Sequence, residues 1–335
     1  MTETLTAGIY GISGYTGMEM LKLLDSHPCF SIEVAQSRQF DGKKVKALTP
    51  LPVACGEVEI SSSPAEVPDV AFLCLPAGDS MKLTPSLVER GAKVVDLSPD
   101  YRLHPAGVYE KIYGIKHTDP EGLDAAVYGL SEVMASEIAS ARIVANPGCY
   151  PTAALLALFP LAEKIEGPVI IDAKSGTSGS GKEPTAFNHH AEVAENVKQY
   201  SVGKHRHIPE IERQLRGAGL TSEIMFVPHL VPLVRGLMTS IYLPSMDASE
   251  ALTTLRSYYG GSHFVHVVEE ASLKAVTGTN HCLLQISAVG GGCVIFSCID
   301  NLLKGASGQA VQNANLMSGL PEETGLLRPS VGTGI

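Results

Sequence analysis

Gly11-Ile-Ser-Gly14-Tyr-Thr-Gly17 is a G-x-x-G-x-x-G turn, and its flanks decide the fold. Before it, Leu5, Ala7 and Ile9 alternate over Leu5–Tyr10, the period of a short strand. After it, Met20, Leu21 and Leu24 recur at helical spacing until His27-Pro28 stops the run. Phe30–Gln36 then reads as a second strand, so the chain opens as a βαβ unit. In that setting glycines let the backbone turn sharply and approach a pyrophosphate, whose charge sits among the unpaired N–H groups of the helix start. Gly11, Ser13, Gly14, Tyr15, Thr16 and Gly17 are the candidate cofactor contacts here; the alternative is a tight turn without a ligand.

NAD sites usually carry an Asp or Glu about 20 residues beyond the glycines, for the ribose hydroxyls. This chain has Ser37-Arg38 there. A hydroxyl and a guanidinium suit a 2′-phosphate, which points to NADP(H), unless Arg38 is simply solvated at a loop start.

Further along, Val70–Leu75 and Lys93–Leu97 read as strands separated by a helix over Ser80–Arg90, the alternation of a doubly wound parallel sheet. The second half changes character. Val169–Ala173, Ile224–Val227, Met238–Leu243, Phe264–Val268, His281–Val289 and Gly292–Cys298 suit strands that can pair antiparallel, and helices are expected at Pro151–Lys164, Pro209–Arg216 and Asn301–Met317. The fold class expected is α/β: a Rossmann domain plus an α+β domain with a mixed or antiparallel sheet. Their boundary falls near Asn146. A length of 335 residues agrees with two domains at about 150 residues each.

Composition narrows the function. Apolar residues make up 44% and charged residues 18%, the profile of an ordinary globular protein, and a net charge of −10 offers no global field for a polyanion such as nucleic acid. Seven cysteines without a CxxC pair argue for a reducing compartment. Met1–Leu5 (MTETL) lacks basic and apolar leader features, and the longest greasy run, Ala153–Ala162, contains Pro160 and falls short of the ~20 residues of a span. The expectation is a cytoplasmic, membrane-free protein.

One cysteine stands apart. Asn146-Pro-Gly-Cys149-Tyr-Pro-Thr152 follows the apolar segment Ala141–Ala145 and leads into a helix that Pro151 would open, so Cys149 lies at a helix start, where amides and dipole favour a thiolate. Cys74, Cys282, Cys293 and Cys298 sit in apolar runs and read as fillers. A thiolate needs a proton-transfer partner, and Lys204-His205-Arg-His207-Ile-Pro-Glu210 is the best local source. Its two histidines alternate, and Glu210 in a first helical turn could orient an imidazole. Solvated loop histidines are the alternative, as they are for His189-His190. Zinc is not supported, since there is neither HExxH nor CxxC. Gly176-Thr-Ser-Gly-Ser-Gly181-Lys182 nearly matches a P-loop, but Glu183-Pro184 replaces the hydroxyl and helix that motif needs. It reads as a Ser/Gly loop able to touch a cofactor or substrate phosphate.

A dinucleotide turn, a helix-capped cysteine and a histidine together suit hydride transfer to or from a thioester. GISGYTG, DLSPDYRL, YGLSE, NPGCYPTAA, KSGTSGSGK, HRHIPEI and DNLLKGASGQAVQNAN, in this order over nearly the whole chain, closely resemble the N-acetyl-gamma-glutamyl-phosphate reductases of arginine biosynthesis. That resemblance implies the fold shared with aspartate-semialdehyde dehydrogenase, an NADP-binding domain over 1–146 to which 300–335 return, and a catalytic domain over 147–299. It implies Cys149 as nucleophile and an acid/base group from the histidine run, His207 with Glu210 in support, or His205. It also implies Ser178, Gly179 and Asn301 near the nicotinamide, small acyl-phosphate, semialdehyde and phosphate ligands, and a homo-oligomer, dimer or tetramer. Anionic substrates call for local contacts, for which Arg102, Arg235 and Asn146 are the candidates, each arginine equally suited to a structural ion pair. The HRHIPE run and YGLSE favour this family over aspartate-semialdehyde dehydrogenase; a reductase of a carrier-linked acyl phosphate is the other neighbour.

Overall fold

The computed structural model describes residues 4–327. The outermost parts of the expected first-domain range, 1–3 and 328–335, lie outside the described residues, as does most of the MTETL start. Two compact units emerge, one of residues 4–147 and 306–327 and one of residues 148–305.

The first unit is built on a seven-stranded sheet: β1 (Leu5–Tyr10), β2 (Phe30–Gln36), β3 (Ile60–Ser61), β4 (Val70–Leu73), β5 (Lys93–Asp96), β6 (Val127–Tyr128) and β7 (Ile143–Ala145). Spatial order is β3-β2-β1-β4-β5-β7-β6, with every pairing parallel. Strands such as Val70–Leu73, buried at all four residues, have the continuous apolar reading of a sheet covered on both faces. The order reverses beside β1, so the glycine turn after Tyr10 lies at the topological switch point, where ligands of such sheets bind. The last helix, Gly308–Met317, packs on the helices Ser131–Ser140 and Tyr15–Asp25. Buried Asn313 on it is paired on both sides: its Nδ2 donates to Gly129 O (2.8 Å) and Asn146 Oδ1 (3.1 Å), while Ser131 Oγ donates to its Oδ1 (2.7 Å).

The second unit carries a mixed sheet of β8 (Val169–Ser175), β9 (Lys198–Gln199), β10 (Ile224–Leu230), β11 (Leu237–Leu243), β12 (Val265–Val267), β13 (Cys282–Val289) and β14 (Gly292–Ile299). Its order is β12-β13-β14-β11-β8-β10-β9; β8–β10 and β12–β13 are parallel and the other pairs antiparallel. The helix Cys149–Leu158, buried at every residue from Tyr150 onward, packs against β11 and β14. A helix apolar all round belongs in a core, which is where AALLALFPL goes.

Four sequence readings change. The returning segment begins at Ala306 rather than at 300, because Asp300 and Asn301 spend their side chains on Arg235, Gly236, Gly278 and Ser178 of the second unit. The closing helix starts at Gly308, after a π turn over Leu303–Ser307. The helix expected from Pro151 starts two residues earlier, at Cys149, and its α-helical part ends at Leu158 before a 3₁₀ turn over Phe159–Lys164. Pro151 is then its third residue, still among the first four N–H groups that have no partner in a helix. Finally, β10 runs on through Pro228 to Leu230.

Candidate active site

The glycine turn is shaped by what its glycines exclude. A Cβ on Gly17 would lie 2.3 Å from Gly11 O and 2.7 Å from Ile12 Cα, so the helix Tyr15–Asp25 can pack on the turn only with Gly there. A Cβ on Gly11, whose φ is +84°, would lie 2.3 Å from Cys74 O. Gly14, the N-cap, is open: the atom nearest to a Cβ there is Gly11 O at 3.5 Å. Gln36, at the end of β2, fastens the turn by accepting Gly11 N–H at its backbone O (3.1 Å) and at Oε1 (3.0 Å), and Ile12 N–H at its backbone O (3.1 Å). Ser13 Oγ meets Ser37 Oγ at 3.0 Å, Thr16 O accepts from Ser307 Oγ at 2.9 Å, and Tyr15 stands exposed as the first helical residue. Arg38 reaches into solvent and pairs with Asp79 at 3.4 Å, so Ser13, Ser37 and Arg38 line one side of the β1–β2 end.

In the second unit Cys149 opens its helix, with Gly148 as N-cap. Glu210, third residue of the helix Ile208–Gly217 and 1% exposed, accepts the Gly148 N–H at 2.9 Å. That hydrogen bond holds the peptide that presents the thiol. Thr152 closes the other side, donating to Gly148 O from N (2.9 Å) and Oγ1 (3.0 Å).

The two histidines are brought together but differ. Their rings lie 4.8 Å apart, and both meet Tyr150, His205 at 5.6 Å and His207 at 5.9 Å. His205 is buried among Tyr150, Tyr200 and Phe226, and its Nδ1 accepts the His207 N–H at 3.1 Å, so the proton of its neutral ring is on Nε2. Burial, with Arg206 adding, pushes its imidazole down to about 4. His207 is half-buried and caps the Ile208–Gly217 helix. The other buried thiols are poor nucleophiles: burial pushes Cys74 and Cys298 up to about 12 and Cys55 and Cys293 up to about 11.

The Ser/Gly loop forms a 3₁₀ turn, Thr177–Ser180, ending at Gly181 with φ +87°, with no P-loop helix behind it. Asn301 gathers it in, donating to Ser178 Oγ at 2.9 Å and accepting Gly236 N–H at 2.8 Å; a Cβ on Gly179 would sit 3.7 Å from the Asn301 amide. Ser178, Gly179 and Asn301 are thus one cluster.

The three proposed substrate contacts are engaged within their own units. Arg235 points Nε and Nη2 at buried Asp300 (3.1 and 3.3 Å), a carboxylate that also receives Gly278, Leu302 and Leu303 N–H groups. Arg102, 8% exposed, donates to Leu97 O at 2.7 Å. Asn146, 1% exposed, spends its amide on Ala306 O and Asn313. Sequence reasoning missed Tyr150 and Tyr200, whose hydroxyls meet at 3.2 Å, and Gly305, where a Cβ would lie 2.8 Å from the Cys149 Cβ. NPGCY contains Tyr150, and KGASG contains Gly305, but neither residue type announces a partner so far along the chain. Among the described residues no group of three or more His, Cys, Asp or Glu is placed to hold a metal ion.

Two family models match the chain: "Semialdehyde dehydrogenase, NAD binding domain" over residues 6–141 and "Semialdehyde dehydrogenase, dimerisation domain" over 149–301. N-acetyl-gamma-glutamyl-phosphate reductases from Dehalococcoides mccartyi strain 195 (43% identical, covering 96% of each chain), Aquifex aeolicus (43%, 98% of each) and Methanopyrus kandleri (44%, 97% of this chain and 98% of that one) are similar along its whole length. The chain belongs to the N-acetyl-gamma-glutamyl-phosphate reductase family. The family's architecture reaches further: aspartate semialdehyde dehydrogenase II from Vibrio cholerae shares the fold at TM-score 0.73 and 17% identity, covering 95% of this chain and 99% of that one. The Candida albicans aspartate semialdehyde dehydrogenase, solved with NADP, shares it at TM-score 0.67 and 18% identity, covering 94% and 99%.

Proposed function

We propose that this chain catalyses the NADPH-dependent reduction of N-acetyl-gamma-glutamyl phosphate to N-acetylglutamate 5-semialdehyde and phosphate, a step of arginine biosynthesis, with Cys149 as the nucleophile. The observation that carries the reading is the helix start at Cys149, held by the Glu210 carboxylate through Gly148 N–H, with the His205–His207 pair packed on the next residue, Tyr150.

The Cys149 thiolate attacks the acyl carbon, the acyl–oxygen bond to phosphate breaks, and phosphate leaves a thioester on Sγ. NADPH held by the Gly11–Gly17 turn and by Ser37 and Arg38 would supply the hydride for reduction of the thioester to a thiohemiacetal. Through both steps the developing oxyanion lies near the Cys149 N–H at the first helical turn, which Glu210 keeps in place. His207 is the proton donor and acceptor. It protonates the oxyanion and then receives the hydroxyl proton as the C–S bond breaks, which releases aldehyde and returns the thiolate. His205 serves instead as an anchor, since its Nδ1 is occupied by the His207 N–H and its ring stays neutral near pH 7.

The cofactor fits the first unit by an excluded-volume argument. The Cβ positions of Gly11 and Gly17 are blocked by protein while that of Gly14 is open, which leaves a bare backbone surface at the helix start for a pyrophosphate. Ser37 and Arg38 would hold the 2′-phosphate and so favour NADP(H) over NAD(H), with Asp79 steadying the guanidinium. Ser178, Gly179 and Asn301 would contact the nicotinamide end. Arg102 and Arg235 would contact the anionic substrate from beside their bonds to Leu97 and Asp300. Asn146 acts by tying the approach to Cys149 to the last helix. Self-association through residues 149–301 and cytoplasmic residence belong to the same reading; among the described residues no helix is long and apolar enough to cross a membrane.

The test is NADP⁺ reduction with N-acetylglutamate 5-semialdehyde and phosphate, for the native protein and Cys149→Ala, repeated with aspartate semialdehyde. Phosphate-dependent turnover of the acetylated aldehyde alone, abolished in the variant, is expected. Turnover of aspartate semialdehyde alone, or none with either aldehyde, would overturn the substrate.

A further inference from the structure

Between β8 and the helix Ile208–Gly217 the chain makes a long excursion that includes β9, and its charge over 181–207 differs from the rest. Residues 181–207 hold four Lys or Arg, four His and three Glu in a protein of net charge −10. A concavity of about 800 Å³ opens on this excursion, lined by Pro184, Thr185, Ala186, Phe187, His189, Glu192 and Lys198. That volume lies within the ordinary range for small-molecule sites.

Two features connect it to the candidate nucleophile. Phe187 packs edge-on against Tyr200, ring centres 5.2 Å apart, and the Tyr200 hydroxyl meets that of Tyr150, the residue after Cys149, at 3.2 Å. Only one aromatic ring therefore separates the Phe187 wall from the neighbourhood of the thiol. The second feature is the cation. Lys198 belongs to β9, registered against Leu230 of β10, and its ammonium sits 5.5 Å over the Phe187 ring. Sheet pairing fixes its backbone and the ring fixes its head.

We propose that this concavity is the subsite for the N-acetylglutamyl tail of the substrate, with the Lys198 ammonium pairing the α-carboxylate and Phe187 packing against the acetamide. The inference rests on the function proposed above. A cation beside an aromatic face matches a carboxylate and an acetamido group on one carbon. Glu192 on the same lining repels a second negative charge and so favours the seat beside Lys198.

The experiment compares the native enzyme, Lys198→Met and Lys198→Arg on N-acetylglutamate 5-semialdehyde and on 4-acetamidobutanal, which lacks only the carboxylate. For Lys198→Met, KM for the full substrate should rise at least tenfold, with kcat within about threefold of native and the KM values of NADP⁺ and phosphate unmoved. Lys198→Arg should recover most of the loss. With 4-acetamidobutanal the native enzyme should already show the raised KM, and Lys198→Met should add no further loss, the mark of a pairwise contact. Phe187→Ala should raise KM for both aldehydes.

An unchanged KM in Lys198→Met would overturn the subsite, as would equal losses on the two aldehydes. So would a shift in molecular mass by light scattering, which would make this face a contact with a second copy. A native enzyme without turnover of the acetylated aldehyde would instead remove the proposed function, and the subsite with it.

Discussion

Among the described residues two α-helix starts follow a strand, have glycine as N-cap and lack a side-chain cap: Gly14 before Tyr15–Asp25 and Gly148 before Cys149–Leu158. They are built for opposite ends. Around Gly14 the chain contributes backbone, and Gly11 and Gly17 are glycines because Cβ atoms there would strike Cys74 O and Gly11 O at 2.3 Å. Around Gly148 it contributes side chains: a thiol at the first helical position, a hydroxyl at Thr152 and a buried carboxylate at Glu210. A helix start offers unpaired N–H groups to whatever comes near; what it does depends on whether its first residues are withdrawn or supplied. The Ser/Gly loop at Gly176–Gly181 shows the same lesson from the other side, since without a helix behind it a near P-loop sequence is only a turn.

The contrast breaks most sharply at Cys149. Cys149→Ala should lower kcat by at least about 10⁴-fold while NADPH binding by fluorescence stays at the native level. Gly17→Ala attacks the other start through packing. It should cost about 1–3 kcal/mol in urea unfolding, with Gly14→Ala costing under about 1 kcal/mol; equal costs would mean that the helix does not rest on the turn. Glu210→Gln keeps an acceptor for Gly148 N–H but removes the charge, so kcat should fall roughly 10–100-fold, the worth of a charge-assisted bond, with the substrate KM little changed. Arg38→Ala should raise the NADPH dissociation constant about tenfold and leave that of NADH nearly unchanged; equal losses would remove Arg38 from the 2′-phosphate site.

The smallest effect is acid stability. His205 is held at about 4 by burial against an ordinary 6.5, so the unfolded chain binds the extra proton between those values. The stabilising contribution is complete above pH 6.5 and is lost as pH falls toward 4. Urea midpoints at pH 7 and pH 5 should show a drop for the native protein and a smaller one for His205→Asn.

Most of the first unit could be read from the chain, because a parallel sheet covered on both faces writes itself as apolar runs and its phosphate turn must be glycine. Cys149 was readable for a similar reason: a helix start leaves local marks. What sequence could not supply were contacts between distant segments. Glu210 on Gly148, Gly305 against Cys149 and Asp300 on Arg235 join residues 62, 156 and 65 positions apart, and nothing local marks either end. His205 and His207 look alike as alternating residues, and only burial and the bond to Nδ1 separate them. The strands β3, β6 and β9, two residues each, are too short to carry a period.

The most direct test of the Cys149 helix start is a single-turnover measurement with N-acetyl-gamma-glutamyl phosphate and no NADPH. Phosphate release and the mass of the peptide containing Cys149 would be followed together. One phosphate per chain, released as an N-acetylglutamyl group appears on Cys149, is the predicted result. Phosphate release without that adduct, or an adduct on another cysteine, would contradict it.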